Sequence, residues 1–121
     1  MFYLTIELDH AGGGVSSEVY ASLPIAARLN SATLVPNVAS AANGTNYVTY
    51  KLIDNGATDI FSADTQSTGL TAGTPVTVTL DAAADLGFAA GDVIRLRCAD
   101  SASGVAANLT CVLEFAPARS V

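Results

Sequence analysis

Gly91-Asp92-Val93-Ile94-Arg95-Leu96-Arg97-Cys98 and Asn108-Leu109-Thr110-Cys111-Val112-Leu113-Glu114-Phe115 decide how the chain is read. Both stretches alternate apolar and polar residues with period two, the pattern of a strand with one buried face. Ile94, Leu96 and Cys98 share one face of the first, and Arg95 and Arg97 share the other. Leu109, Cys111, Leu113 and Phe115 share a face of the second. A turn at Ser103-Gly104-Val105 would join them as a hairpin, with Ile94 opposite Phe115, Leu96 opposite Leu113 and Cys98 opposite Cys111. A slip of one residue would set apolar side chains against polar ones.

The other strands are read outward from this pair. Phe2, Leu4, Ile6 and Leu8 alternate with Tyr3, Thr5 and Glu7. His10-Ala11-Gly12-Gly13-Gly14 breaks that strand with three costly-to-order glycines. Residues 15–34 read two ways. Ser22 could cap a helix with Pro24 in its first turn, or Ile25, Ala27 and Leu29 could face a core as a strand. The strand is preferred because of the β-branched run that follows. Asn43-Gly44 marks a turn. Tyr47–Ile53 is a strand by composition, and Asp54-Asn55-Gly56 signals a hairpin. A bulge there would pair Leu52 with Ile60 rather than Asp59. Val76–Leu80 alternates with its threonines outward. Asp81 and Gly87 could bracket one helical turn, Phe88 would plug the core, and Pro117 to Val121 would fray. The expected fold is a single all-β domain over residues 1–121: an antiparallel β-sandwich, jelly-roll or immunoglobulin-like, of six to eight strands with at most one short helical turn. Residues 1–14 are its N-terminal strand, or an arm.

Composition narrows the function. The chain has 121 residues, enough for one domain with a real core. Charged residues are 13%, about half the usual share, and mean hydropathy is +0.43. So little charge suggests a surface partly covered by other subunits. Net charge is −6 with five Lys plus Arg, which gives no basic stripe for nucleic acid and no attraction to anionic membranes. The longest apolar runs fall well short of the roughly 20 residues of a spanning helix. The start lacks the basic head of a signal peptide. The expectation is a cytosolic origin, with two buried thiols rather than a disulfide.

No constellation points to catalysis. His10 is the only histidine, and beside three glycines it reads as a solvated loop residue, badly placed for a general base. Asp54, Asp59 and Asp64 could be paired carboxylates but read more simply as turn chemistry. Asp81, Asp85 and Asp92 lack the ligand spacing of an EF-hand. The chain is therefore expected not to be an enzyme, with no catalytic residue, cofactor or metal. Arg95 and Arg97 read as two ion pairs on a solvated sheet or as anchors of a protein interface.

Asn46-Tyr47-Val48-Thr49-Tyr50, Leu70-Thr71-Ala72-Gly73 and Ala90-Gly91-Asp92-Val93-Ile94-Arg95-Leu96 resemble segments of small virion proteins of tailed bacteriophages, in particular the capsid decoration (cement) class. The likeness spans most of residues 19–116. It implies a non-enzymatic sandwich, often trimeric, that is assembled in the host cytoplasm and sits on the virion surface. There it bridges copies of the major capsid protein. Phe2, Tyr3 and Leu4 would then dock as an edge strand hinged at Gly12-Gly13-Gly14, with Arg95 and Arg97 as further interface residues. The alternative is a carbohydrate- or receptor-binding module of a tail fibre or bacterial surface protein. Against it, the chain has no Trp, and most of its aromatics fall in the phase of the core.

Overall fold

Nine strands build two antiparallel sheets in the computed structural model, which describes residues 1–54, 58–81, 86–103 and 107–117. They are β1 (Phe2–His10), β2 (Ser16–Ser22), β3 (Ala27–Pro36), β4 (Val48–Ile53), β5 (Asp59–Asp64), β6 (Val76–Thr77), β7 (Gly87–Phe88), β8 (Val93–Asp100) and β9 (Ala107–Pro117). One sheet runs β1-β9-β3-β6, with β7 also on β3, and the other runs β2-β8-β4-β5. The pairs nest: β1 with β9, β2 with β8, β3 with β6 and β7, β4 with β5. A long hairpin rolled up in this way is a jelly roll, which decides between the two expected sandwiches. Counting β6 and β7 as one interrupted strand gives eight; counted singly they give nine. Among the described residues there is no helix. The helical turn expected around residues 82–85, the Asn55-Gly56 turn and the Gly104-Val105 turn lie outside the described residues.

The expected β8–β9 hairpin is wrong. β8 pairs with β2 and β4, whereas β9 pairs with β1 and β3 in the facing sheet. The facing of the side chains is nevertheless as read. Ile94, Leu96 and Cys98 are buried, as are Leu109, Cys111, Leu113 and Phe115. Period two says which side chains go inward. It does not say whether two inward faces lie side by side in one sheet or meet across a core. The cysteines are accordingly not cross-strand partners. Cys98 stands beside Ser17 and Tyr50, and Cys111 beside Ile6 and Leu34. Both thiols are free and buried, and burial pushes each up to about 12.

Two bulges set the remaining registers. In β3 the ladder with β9 shifts between Leu29 and Ser31. Ala27 and Leu29 point inward before the shift, and Ala32 and Leu34 after it, so odd and even positions of one strand can both reach the core. Ile25, expected inward, is exposed before β3 begins. The second bulge is the one expected after Leu52, but Leu52 faces Phe61 and Ile53 faces Asp59. Ile60 is the extra residue and is fully buried. Only Val76 and Thr77 of the expected Val76–Leu80 strand join a ladder. Phe88 does plug the core, edge-on to Phe115 at 6.1 Å. Pro117, expected to fray, is the last residue of β9 opposite Ala27.

Candidate functional site

β1 and β2 follow each other in sequence, lie at the edges of opposite sheets and pack together, so they form one side of the sandwich. One end of this side is closed by polar groups. His10 ends β1, Ser17 lies near the start of β2, and Asp100 ends β8. Asp100 Oδ1 accepts from His10 Nε2 at 2.6 Å, and His10 Nδ1 lies 2.9 Å from Ser17 Oγ. Asp100 Oδ2 accepts from the Gly14 backbone N–H at 2.9 Å. The side chains of His10 and Asp100 are 0% exposed. The expected solvated loop histidine is thus a buried one with both ring nitrogens satisfied. The loop glycines make this possible: Gly12, Gly13 and Gly14 all take positive φ, near 80°, which a side chain would oppose. Gly13 N–H also reaches Ser103 O at 2.8 Å.

The order Ser17–His10–Asp100 has the connectivity of a nucleophile, a base and the group that orients the base. Its role in the geometry is structural. Each group satisfies another that could not reach water, and three strand ends are tied together.

The other end of the same side is open. Phe2 and Leu4 are half-buried on the inward face of β1, and Val19 and Ala21 likewise on β2; all four pack against the core without being covered. Phe2 stacks on Phe115 with ring centroids 5.2 Å apart. Tyr3 and Tyr20 point outward and are 63% and 61% exposed, beside an exposed Met1. Among the described residues nothing pairs with the outer edge of β1 or of β2. Of the expected docking residues, Phe2 and Leu4 therefore face the domain's own core and Tyr3 faces outward. Their segment is a strand paired with β9 along its whole length, rather than a detached arm.

Arg95 and Arg97 lie elsewhere, on the outer face of the β2-β8-β4-β5 sheet. Both approach one carboxylate: Arg95 Nη1 is 3.6 Å and Arg97 Nε 3.5 Å from Glu18 Oε1. Lys51, directly opposite Arg97 on β4, pairs with Asp59 at 3.3 Å. The candidate carboxylates serve local structure. Asp54 accepts from Thr58 N–H, Asp64 from Gln66 N–H and Asp92 from Ala89 N–H.

No protein-family model matches the chain, and no curated protein matches it. Among solved structures, the chain is similar to a carbohydrate-binding module, CBM36, in complex with calcium and xylotriose, with TM-score 0.39, 16% identity, and coverage of 96% of this chain and 89% of that one. It is similar to PirA with TM-score 0.36, 9% identity and 93% of both chains covered. It is also similar to the VP2 subviral particle of infectious bursal disease virus, with TM-score 0.33, 17% identity, and 93% of this chain and 32% of that one covered. At these TM-scores no functional conclusion passes from those proteins to this chain.

Proposed function

We propose that this chain is a structural protein of a phage particle, a decoration protein that bridges neighbouring coat subunits and docks through the open end of its β1/β2 side. The observation that carries this reading is the meeting of two unpaired strand edges with an uncovered apolar seam, Phe2, Leu4, Val19 and Ala21, flanked by exposed Tyr3 and Tyr20. An unpaired edge offers N–H and C=O groups that a neighbouring strand can complete. Covering one large side chain adds about 1.5–3 kcal/mol, so a single copy holds weakly and a symmetric oligomer, such as a trimer, holds by multivalency. The low charge content fits a protein that spends its life against other subunits. The resemblance of Ala90–Leu96 and its companion segments to decoration proteins supports the major capsid protein as the proposed partner and a virion surface, assembled in the host cytoplasm, as the proposed place.

The test is co-sedimentation with capsids. Tyr3→Lys puts a charge on the outward face at the edge without touching the core, and is expected to abolish pelleting while the protein stays folded. Undiminished pelleting of that variant would overturn the docking surface. The second reading, a carbohydrate-binding module, is favoured by the two exposed tyrosines, since aromatic rings form platforms for sugars. A glycan array that shows saturable binding lost on Tyr20→Ala would choose it over the first.

A further inference from the structure

The outer face of the β2-β8-β4-β5 sheet holds three of the chain's five cations, Lys51, Arg95 and Arg97. In a chain of net charge −6 this concentration is itself unusual, and its internal arrangement is unfavourable. Lys51 and Arg97 stand directly opposite on adjacent strands, where like charges repel. Their carboxylate partners lie to the two sides rather than between them. Glu18 on β2 is shared by Arg95 and Arg97, and Asp59 on β5 takes Lys51. Asp64, beside Thr49 on β5, turns to its own Gln66 N–H.

Between the two cations the sheet surface sinks. Thr49 and Ala99, paired one step along the same two strands, are small, and with Lys51 and Arg97 they line a depression of about 280 Å³. Arg97 Nε is buried, yet makes no hydrogen bond. Its 3.5 Å approach to Glu18 is an ion-pair distance without hydrogen-bonding geometry.

We propose that this depression is a carboxylate-binding site, in which an incoming carboxylate lies between Lys51 and the exposed part of the Arg97 guanidinium, with Thr49 at its rim. A guanidinium presents Nε and Nη donors as a planar fork that matches two carboxylate oxygens, and Lys51 adds a point charge. Asp64 beside Thr49 brings the carboxylates of this face to three against its three cations, and with no positive charge in excess the site suits a monoanion better than a phosphate dianion. The carboxylate can come from an acidic side chain of a partner or from an acidic sugar. Tyr20 of the docking side stands opposite Arg95 on the same face, and its hydroxyl donates to Glu18 Oε2 at 2.9 Å.

The experiment is titration of the full chain with glutarate and, separately, with glucuronate, followed by ¹H–¹⁵N spectra that include arginine Nε–Hε resonances. Saturable shifts of Arg97 Nε–Hε and the Ala99 amide are expected, with Arg28 unmoved. Tighter glutarate binding assigns the site to acidic side chains, and tighter glucuronate binding to acidic sugars; both support it. Arg97→Gln and Arg97→Lys should each weaken binding about tenfold, the second because charge alone does not replace the fork, with melting temperatures unchanged. The site is overturned by equal binding to Arg97→Gln, or by chloride or inorganic phosphate moving the same resonances equally at matched ionic strength.

Discussion

The two ends of the β1/β2 side are made from the same two strands and end up opposite in character. At one end the side chains of His10 and Asp100 are buried, Ser17 is half-buried, and the three are hydrogen-bonded to one another through His10. At the other, Phe2, Leu4, Val19 and Ala21 are left half-covered under exposed tyrosines. The core phase runs unbroken along β1, from Phe2 through Leu4, Ile6 and Leu8 to His10. The difference lies in what closes each end. The glycine loop folds over the polar end and donates Gly14 N–H to Asp100, while among the described residues nothing folds over the apolar end. A sandwich can therefore close one end of an open side with hydrogen bonds and leave the other to a partner.

The largest effect is expected from breaking the closed end. His10→Ala leaves one oxygen of the buried Asp100 side chain without its donor, with only Gly14 N–H still bound to the other, and an unsatisfied buried polar group costs about 1–3 kcal/mol, more if it is charged. Urea or thermal unfolding checks this, and a loss below about 1 kcal/mol would mean that the cluster does not hold the fold. Ser17→Ala should cost less, about 1 kcal/mol for one hydrogen bond. The same cluster admits a chemical check. A fluorophosphonate that labels serine nucleophiles should leave Ser17 untouched, and labelling at Ser17 that disappears in His10→Ala would turn the lock into a catalytic triad.

That cluster also marks the limit of what the sequence made legible. The inward residues of β1, β8 and β9 follow directly from alternation, because a half-buried strand has to hide every second side chain. Their pairing does not follow: β8 and β9 carry interchangeable patterns, and long-range closure of the roll assigns them to different sheets. His10, Ser17 and Asp100 continue the core phase of Leu8, of Val19 and of Cys98. The spacing carries this signal, and the polar character of the three side chains masks it. The bulge at Leu29/Ser31 was not legible either, since Ala27, Leu29, Ala32 and Leu34 fit no single period. Arg95 and Arg97 were found, but the neighbour opposite them, Lys51, is set by the β4–β8 register alone.

A smaller effect should appear in alkali. Cys98 and Cys111 rise from 9.0 to about 12, through burial in both and, for Cys98, also through the negative charge of Asp100. The native state therefore holds protons that the unfolded chain releases. The stability they give is fully present below about pH 9 and is lost as pH climbs toward about 12. At pH 10 the loss is about 1.4 kcal/mol per thiol, the value of one pH unit. Tyr50, raised chiefly by burial and then by Asp64 and Cys98, adds loss in the same direction. Native thiol titration at pH 8 should show neither cysteine reacting, and denaturant should expose both. Cys98 lies next to Ser17 in the ladder, so opening the closed end with His10→Ala should accelerate its labelling more than that of Cys111. Equal acceleration would mean that the whole sandwich loosens and that the two ends are not separate.

The smallest effects belong to the open end, and they come as a contrasting pair. Phe2 gives one ring face to Phe115 at 5.2 Å and is half-buried. Phe2→Ala should thus cost part of a full core truncation, about 1–2 kcal/mol. Tyr3, its neighbour in sequence, points the other way. Its hydroxyl reaches Glu114 Oε2 only at 3.5 Å, on the exposed face, and most of its surface is in water. Tyr3→Lys should therefore change unfolding free energy by no more than about 0.5 kcal/mol, and the new ammonium lies within reach of Glu114. If docking uses this end, the two variants separate fold from function: Phe2→Ala weakens both stability and pelleting, whereas Tyr3→Lys removes pelleting alone. A large stability loss in Tyr3→Lys would assign that side chain to the domain's own architecture. The tyrosine would then be no more available to a partner than Phe2 is, and the open end would be closed in a way that its exposure conceals.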